Sequence, residues 1–396
     1  MQNYLGFDLG TGAIKAVLWH PKDGMLKTLS ERVSYTYPAE NFVEFDLAQY
    51  FQQVLGMINK LAAYSSRIIA GISFAAASGN TVLCDSTGLP LLPCISWLDK
   101  RLAWTPPSAW NVREVSGWPA IPSFPLMHLE WLKREKEALL KDSQIAMNND
   151  YICWQLCGER VLDHSSATPF YLQNQEDKRW HKTYLDYYGI SEKQLPKLVK
   201  PGTLIGSLKN KFTAKNLCSK TTKVYAGSFD HPSAARAAGI VEPGEMLLSC
   251  GTSWVGFYPV KKRNDVPLTE LCDPFQSGNG GCWGAMFSLS GVGIKIEKFI
   301  EENYQQSPNR YDIFNEEAKD ETSSAYKLMK SVVKDFAAKL NGRKAKRIVM
   351  VGGPSEGESW RRILSEELQQ DIETSEYKSY AGAVGAAMLA GGFAEL

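Results

Sequence analysis

At 396 residues the chain is longer than one hydrophobic core usually supports, so two domains with a cleft between them are expected. Hydrophobic residues at 44% and charged residues at 22% are ordinary for a globular protein, and a formal net charge of +1 offers no basic field to nucleic acid or to an anionic membrane surface. No run approaches about 18 apolar residues, which argues against a membrane-spanning helix, and a strand pattern begins at Tyr4 without the basic start and apolar stretch of a signal peptide. The eight cysteines (Cys84, Cys94, Cys153, Cys157, Cys218, Cys250, Cys272, Cys282) show no paired CxxC spacing. They are expected to be reduced, which suits the cytoplasm, with Cys153 and Cys157 packed in a helix rather than holding a metal.

In chain order, Tyr4–Leu9 reads as a strand, Gly10-Thr11-Gly12-Ala13 as a turn and Ile14–Trp19 as a second strand, closed by the turn Pro21-Lys22-Asp23-Gly24. From Leu47 to Tyr64 apolar residues fall at helical spacing, and Ile68–Phe74 follows as a buried strand. Meander, helix and strand together mark an α/β fold. Prolines and tryptophans crowd between Trp104 and Pro125, which predicts an irregular cap over the cleft. Helical patterns return at Leu126–Leu140 and Asp150–Leu156, and 178–208 reads as short helices. Strands follow at Thr222–Ala226, Glu245–Ser249 and Trp254–Tyr258, the last two joined by Cys250-Gly251-Thr252-Ser253. A helix near Ile294–Asn303, a poorly patterned polar stretch from Gln305 to Glu321, a helix ending at Leu340, a strand Arg347–Val351 and terminal helices complete the chain.

A glycine-threonine hairpin thus occurs twice, about 240 positions apart, which suggests a duplicated lobe with its turns facing across a cleft. Phosphate oxygens need many donors at close range, and small turns such as Gly10-Thr11-Gly12 and Gly251-Thr252-Ser253 let backbone N–H groups and hydroxyls approach, with Lys15 beyond the first. Asp8, at the end of the first strand, can hold Mg²⁺ through water. Gly352-Gly353-Pro354-Ser355 sits between a strand and a helix, a usual seat for a nucleotide. Asp230, between a strand and a helix of small residues, is placed to accept the proton of an attacking hydroxyl, although it could instead cap the helix. Its neighbour His231 reads as support or local packing.

Taken together, Gly6-Phe7-Asp8-Leu9-Gly10-Thr11-Gly12, Val43-Glu44-Phe45-Asp46, Ile95-Ser96-Trp97-Leu98-Asp99-Lys100-Arg101, Asn149-Asp150-Tyr151-Ile152, the stretch from Gly227 through Asp230 to Gly239, Gly251-Thr252-Ser253, Gly352-Gly353-Pro354-Ser355 with Trp360, and Ala381-Gly382-Ala383-Val384-Gly385-Ala386-Ala387 resemble, in order, the motifs of the FGGY carbohydrate kinases. The resemblance implies two ribonuclease H-like (actin-like ATPase) domains, expected at 1–232 and 233–396, closing on ATP, Mg²⁺ and a small sugar or polyol such as xylulose or ribulose. It implies Asp230 as the catalytic base. ATP and its metal would be held by Asp8, Gly10, Thr11, Gly12, Lys15, Gly251, Thr252, Ser253, Gly352, Gly353 and Ser355. Ser78, Asn80, Trp97, Asp99 and Arg101, polar or aromatic residues near strand ends, are expected to contact the sugar beside Asp230. Two departures stand out: the second lobe is shortened between Asn303 and Lys327, and Ala76-Ala77-Ser78-Gly79-Asn80 replaces longer polar side chains. Gly12 and Ala13 also stand where hydroxyl residues are common, which keeps backbone donors and removes side-chain ones. A homodimer is compatible with the resemblance, and an inactive or non-sugar nucleotide-binding relative of the same fold is the alternative.

Overall fold

A computed structural model describes residues 2–77, 79–121, 124–305 and 307–393. The opening residues form β1 (Asn3–Leu9), β2 (Ala13–His20) and β3 (Gly24–Arg32), an antiparallel meander whose turns lie where the glycines predict them. The helix α1 (Leu47–Tyr64) starts at Asp46, whose carboxylate accepts the N–H of Gln49, and buries the face Leu47, Tyr50, Phe51, Val54, Ile58 and Leu61. It leads to β4 (Ile69–Ala76), buried along its whole length and parallel to β1. The same sheet receives β5 (Leu204–Ser207), β6 (Lys223–Tyr225) and the short β7 (Ser228–Phe229), in the order β5-β6-β4-β1-β2-β3 with β7 also pairing β4.

After α2 (Asp230–Ala237) the plan is repeated. Strands β8 (Glu245–Cys250), β9 (Trp254–Val260), β10 (Leu271–Asp273) and β11 (Trp283–Leu289) pair antiparallel, and β12 (Arg347–Gly352) lies parallel to β8 as β4 does to β1. With β13 (Glu373–Thr374) the second sheet runs β10-β11-β9-β8-β12-β13. Helices α3 (Val292–Tyr304), α4 (Ser324–Leu340) and α5 (Glu358–Leu368) cover it around Trp254, Phe336 and Trp360.

The division expected at 232/233 cuts through α2, and the last helix, α6 (Ala381–Gly391), packs against α2 and the first sheet. Its glycine and alanine content follows from that contact. A Cβ on Gly6 of β1 would lie 1.9 Å from the carbonyl oxygen of Ala383, and one on Gly385 would lie 1.9 Å from that of Ser233. Strand and both helices therefore touch backbone to backbone, which only small residues allow. Three local expectations are corrected. The stretch 178–208 contains strands, including β5, beside a single short α-helix, Lys182–Tyr188; the polar stretch after 305 contains a helix, Arg310–Glu317; and the pattern from Leu126 breaks at Lys136 into two helices. In the first case edge pairing with β6 outweighs local preference.

Candidate active site

Between the two sheets lies a cleft with about 1700 Å³ of empty space. One wall carries Asp8, Gly10, Thr11, Gly12, Lys15, Ala77 and Trp97, the other Ser249–Ser253, Val351 and Gly352. The floor is made by the first turns of α2 and α6, through Asp230, His231, Ala381 and Gly382, and by Ser379 just before α6. The duplicated hairpins therefore face one another, because each turn connects the equivalent first two strands of its sheet.

Asp8 occupies the C-terminal end of β1, opposite Lys15 in the hairpin register and Ala75 of β4. Its Oδ1 is buried without a hydrogen-bond partner. Burial, then repulsion from Asp230, pushes the Asp8 carboxyl well above its ordinary value, against the opposing pull of Lys15 and His231. Asp230 opens α2, and its Oδ1 accepts the N–H of His231 at 2.7 Å, a local bond that leaves Oδ2 for other work. Burial raises this carboxyl too, toward neutrality, while its own backbone bonds oppose the shift. The His231 ring packs edge-on against Phe229, with Nε2 3.7 Å from Asp230 Oδ1, and burial lowers its pKa to about 4, so the imidazole is neutral at pH 7.

Lys15 Nζ donates to the Ser379 carbonyl at 2.9 Å, tying the first hairpin to the floor. The Thr11 hydroxyl accepts from Trp97 Nε1 at 3.0 Å, which orients the indole beside the turn. Gly352 adopts φ +97°, and a Cβ there would fall 2.0 Å from the Cys250 carbonyl oxygen, so glycine is required where β12 meets the second hairpin. Gly353 and Ser355 are not among the cleft-lining residues; Ser355 is buried and donates to the Gly352 carbonyl at 2.6 Å, bracing the turn.

The residues expected around the sugar separate. Trp97 lines the cleft. Asn80 lines a smaller adjoining cavity and positions Trp97, accepting its backbone N–H at 3.0 Å while donating to Asn148 Oδ1 at 3.0 Å. Asp99 and Arg101, expected at the sugar, do not line the cleft and are corrected to a buried structural pair. Arg101 donates from Nε and Nη2 to the two Asp99 oxygens at 2.8 Å each and from Nη2 to Glu44 at 2.7 Å, with its guanidinium between Phe42 and Trp131. Asp99 Oδ2 also accepts the Val43 N–H, so both carboxylate oxygens are engaged within the fold. Ser78 lies outside the described residues.

Motif reading missed several groups at the cleft. Trp118, Ile121 and Phe124, from the proline- and tryptophan-rich cap, line it together with Phe229, Ser288, Ser290 and Lys378. The cap composition hinted at the first three. Lys378 follows no motif, and only the course of the chain into α6 brings it there.

Among the described residues no cluster of three or more His, Cys, Asp or Glu side chains could hold a metal ion. The unpartnered Oδ1 of Asp8, facing a second carboxylate, nevertheless fits a hydrated cation that takes its other ligands from water and phosphate, the usual habit of Mg²⁺. No helix among the described residues is long and apolar enough to cross a membrane, and all eight cysteines are free.

The family model described as "FGGY family of carbohydrate kinases, N-terminal domain" matches residues 3–236. A xylulose kinase of Bacillus subtilis is 27% identical over 275 residues, 67% of this chain and 55% of the relative, and a gluconokinase of the same organism is 26% identical over 274 residues, 67% and 53% respectively. The chain thus aligns with about half the length of these curated relatives. The crystal structure of a xylulose kinase from Lactobacillus acidophilus superimposes with a TM-score of 0.84 at 19% identity, covering 98% of this chain and 89% of that one, so the expected fold of two actin-like ATPase domains is the fold observed. The match over residues 3–236, more than half of the chain, shows that this protein belongs to the FGGY family of carbohydrate kinases.

Proposed function

We propose that this protein transfers the γ-phosphoryl group of ATP to a hydroxyl of a small ketose or related polyol, acting in the cytoplasm where ATP is available. The observation that carries the reading is Asp230, a burial-raised carboxylate at the mouth of α2, facing a cleft whose two walls are glycine-threonine hairpins. Phosphoryl transfer asks little covalent work of a protein beyond positioning, charge stabilisation and removal of one proton. The hairpin amides of Gly10, Gly12 and Ser253, with the Thr11 and Thr252 hydroxyls, would cradle the phosphates, while the Gly251 N–H donates to the Ser253 carbonyl at 3.1 Å and holds the second turn in shape. Lys15 and Lys378, the lysines among the cleft-lining residues, would offset their charge.

Asp230 accepts the proton of the acceptor hydroxyl as that oxygen bonds to the γ-phosphorus. The bond to the bridging oxygen of ADP then breaks, and ADP carries away the electron pair. When bound beside Asp8, Mg²⁺ supplies charge neutralisation to the phosphates. Asp8 contributes one buried oxygen with no competing hydrogen bond, and the neutral His231 packs beside the base without competing for its proton.

On the acceptor side, Trp97, Trp118 and Phe124 form an aromatic wall suited to the apolar face of a sugar. No arginine lines the cleft among the described residues, and assigning both lysines to the phosphates leaves no cation for a substrate carboxylate, which favours a neutral acceptor over an aldonate. The test combines a screen of ketoses, polyols and aldonates for ADP release with the variant Asp230→Asn. That variant should bind ATP almost normally and lose turnover by a factor on the order of 10² or more. Undiminished turnover in Asp230→Asn would remove the assigned base, and ADP release confined to aldonates would overturn the acceptor class.

A further inference from the structure

A second crevice, with about 450 Å³ of empty space, shares no lining residue with the cleft. The first turns of α2 and α6 floor the cleft, whereas Arg236 and Leu389, near the other ends of those helices, border this crevice. One wall holds His164, Lys178 and Lys200, from the half of the chain that precedes α2; the other holds Gln276 and Gly278, just after β10 of the second sheet. A Cβ on Gly278 would sit 3.1 Å from Cε of Lys200, so that side chain already reaches across to the opposite wall.

Two ammonium groups and a guanidinium thus converge on one space. Arg236 is 6% exposed; it donates to Ser228 Oγ at 3.3 Å and to the Phe275 carbonyl at 3.0 Å, while its Nε is buried with no partner. Asp163 and Asp273 face Arg236 and offset its charge, although burial raises both carboxyls, to about 6 and about 7. Lys178 is half-buried in the left-handed region at φ +57° and has no carboxylate within ion-pair distance among the described residues. Burial, then Lys200, lowers its pKa. His164, whose Nδ1 lies 2.7 Å from Gln173 Oε1, is lowered by burial and, through repulsion, by both lysines, which favours the neutral ring. Like charges held together while partly desolvated cost free energy, and an anion bound between them relieves it.

We propose that this crevice is a binding site for a small phosphate-bearing anion, clasped by Lys178 and Lys200 against Arg236 and separate from the ATP cleft. Because one wall comes from the chain before α2 and the other from the loop after β10, its occupancy depends on how those segments sit together, and a ligand there would by reciprocity alter affinity in the cleft.

The test is calorimetric titration of the full chain with inorganic phosphate and, separately, with glycerol 3-phosphate, in the presence of Mg²⁺ and a non-hydrolysable ATP analogue that fills the cleft. Wild type is compared with Lys178→Gln/Lys200→Gln, which keeps chain length and removes charge, and with Lys60→Gln/Lys182→Gln, which removes two exposed charges elsewhere. The expected result is saturable binding of at least one probe, weakened about tenfold or more in the crevice variant and retained in the other, as loss of two charge-assisted contacts requires. Absence of binding in wild type, or equal binding by all three proteins, would overturn the proposal. Comparison among the variants isolates the crevice even if the nucleotide does not enter the cleft.

Discussion

Substituting Asp8 by asparagine separates the cost of a buried carboxylate from its use. In the metal-free protein the carboxyl is raised from an ordinary 3.8 to about 7, first by burial and second by Asp230. Between about pH 4 and pH 7 the folded state therefore holds a proton that the unfolded state has released, so stability falls as pH rises through that window and levels off above it. A rise of about three pH units at 1.36 kcal/mol per unit sets a ceiling of about 4 kcal/mol at pH 8, of which less than half is already incurred at pH 5. An asparagine at this position would have the same shape and no charge. The stabilising effect of Asp8→Asn should therefore grow by up to about 2 kcal/mol from pH 5 to pH 8, less where solvent reaches the cleft. Urea denaturation in EDTA at the two pH values measures this directly. The same variant should lose phosphoryl transfer with Mg²⁺ present, since an amide oxygen is a weaker ligand than a carboxylate. A stability difference that stays flat with pH would refute the account of Asp8 as a strained, proton-holding carboxylate.

Packing makes its own forecasts. Gly6→Ala places a Cβ 1.9 Å from the Ala383 carbonyl oxygen and 2.6 Å from the Ala387 nitrogen, so it should cost about 3 kcal/mol or more by prising α6 off β1, read as a lower urea midpoint. Gly12→Ala, with nothing within 4 Å of the added carbon, should change stability by only about 0.5 kcal/mol. Arg101→Met leaves Asp99 and Glu44 without their cation and should cost about 3 kcal/mol, while the KM for the acceptor stays within about twofold at a temperature where the variant is folded. A selective loss of acceptor affinity would return Arg101 to the sugar site.

Much of the architecture is legible without coordinates because it depends on short-range pattern. The apolar spacing of Leu47–Tyr64 specifies α1, and the glycine turns specify the hairpins that carry Asp8 and Gly251. Sugar contacts were less legible. Trp97, Asp99 and Arg101 lie within five positions, yet Trp97 points into the cleft while the other two turn inward to Val43, Glu44, Phe42 and Trp131. A strand-end position tells which side chains are near a site and not which way each one faces.

What the amino-acid order determined by itself is a duplicated hairpin plan and a carboxylate at the head of a small-residue helix, because closely spaced glycines interrupt a strand pattern wherever they occur. Tertiary structure decided the rest. It packs the glycine- and alanine-rich α6 onto the first sheet, brings Lys378 to the cleft and gathers Lys178, Lys200 and Arg236 around a separate crevice. Each of those juxtapositions joins residues far apart in the chain, and the force that assembles them, close packing of backbone on backbone and the mutual burial of two sheets, leaves no periodic mark on the local sequence.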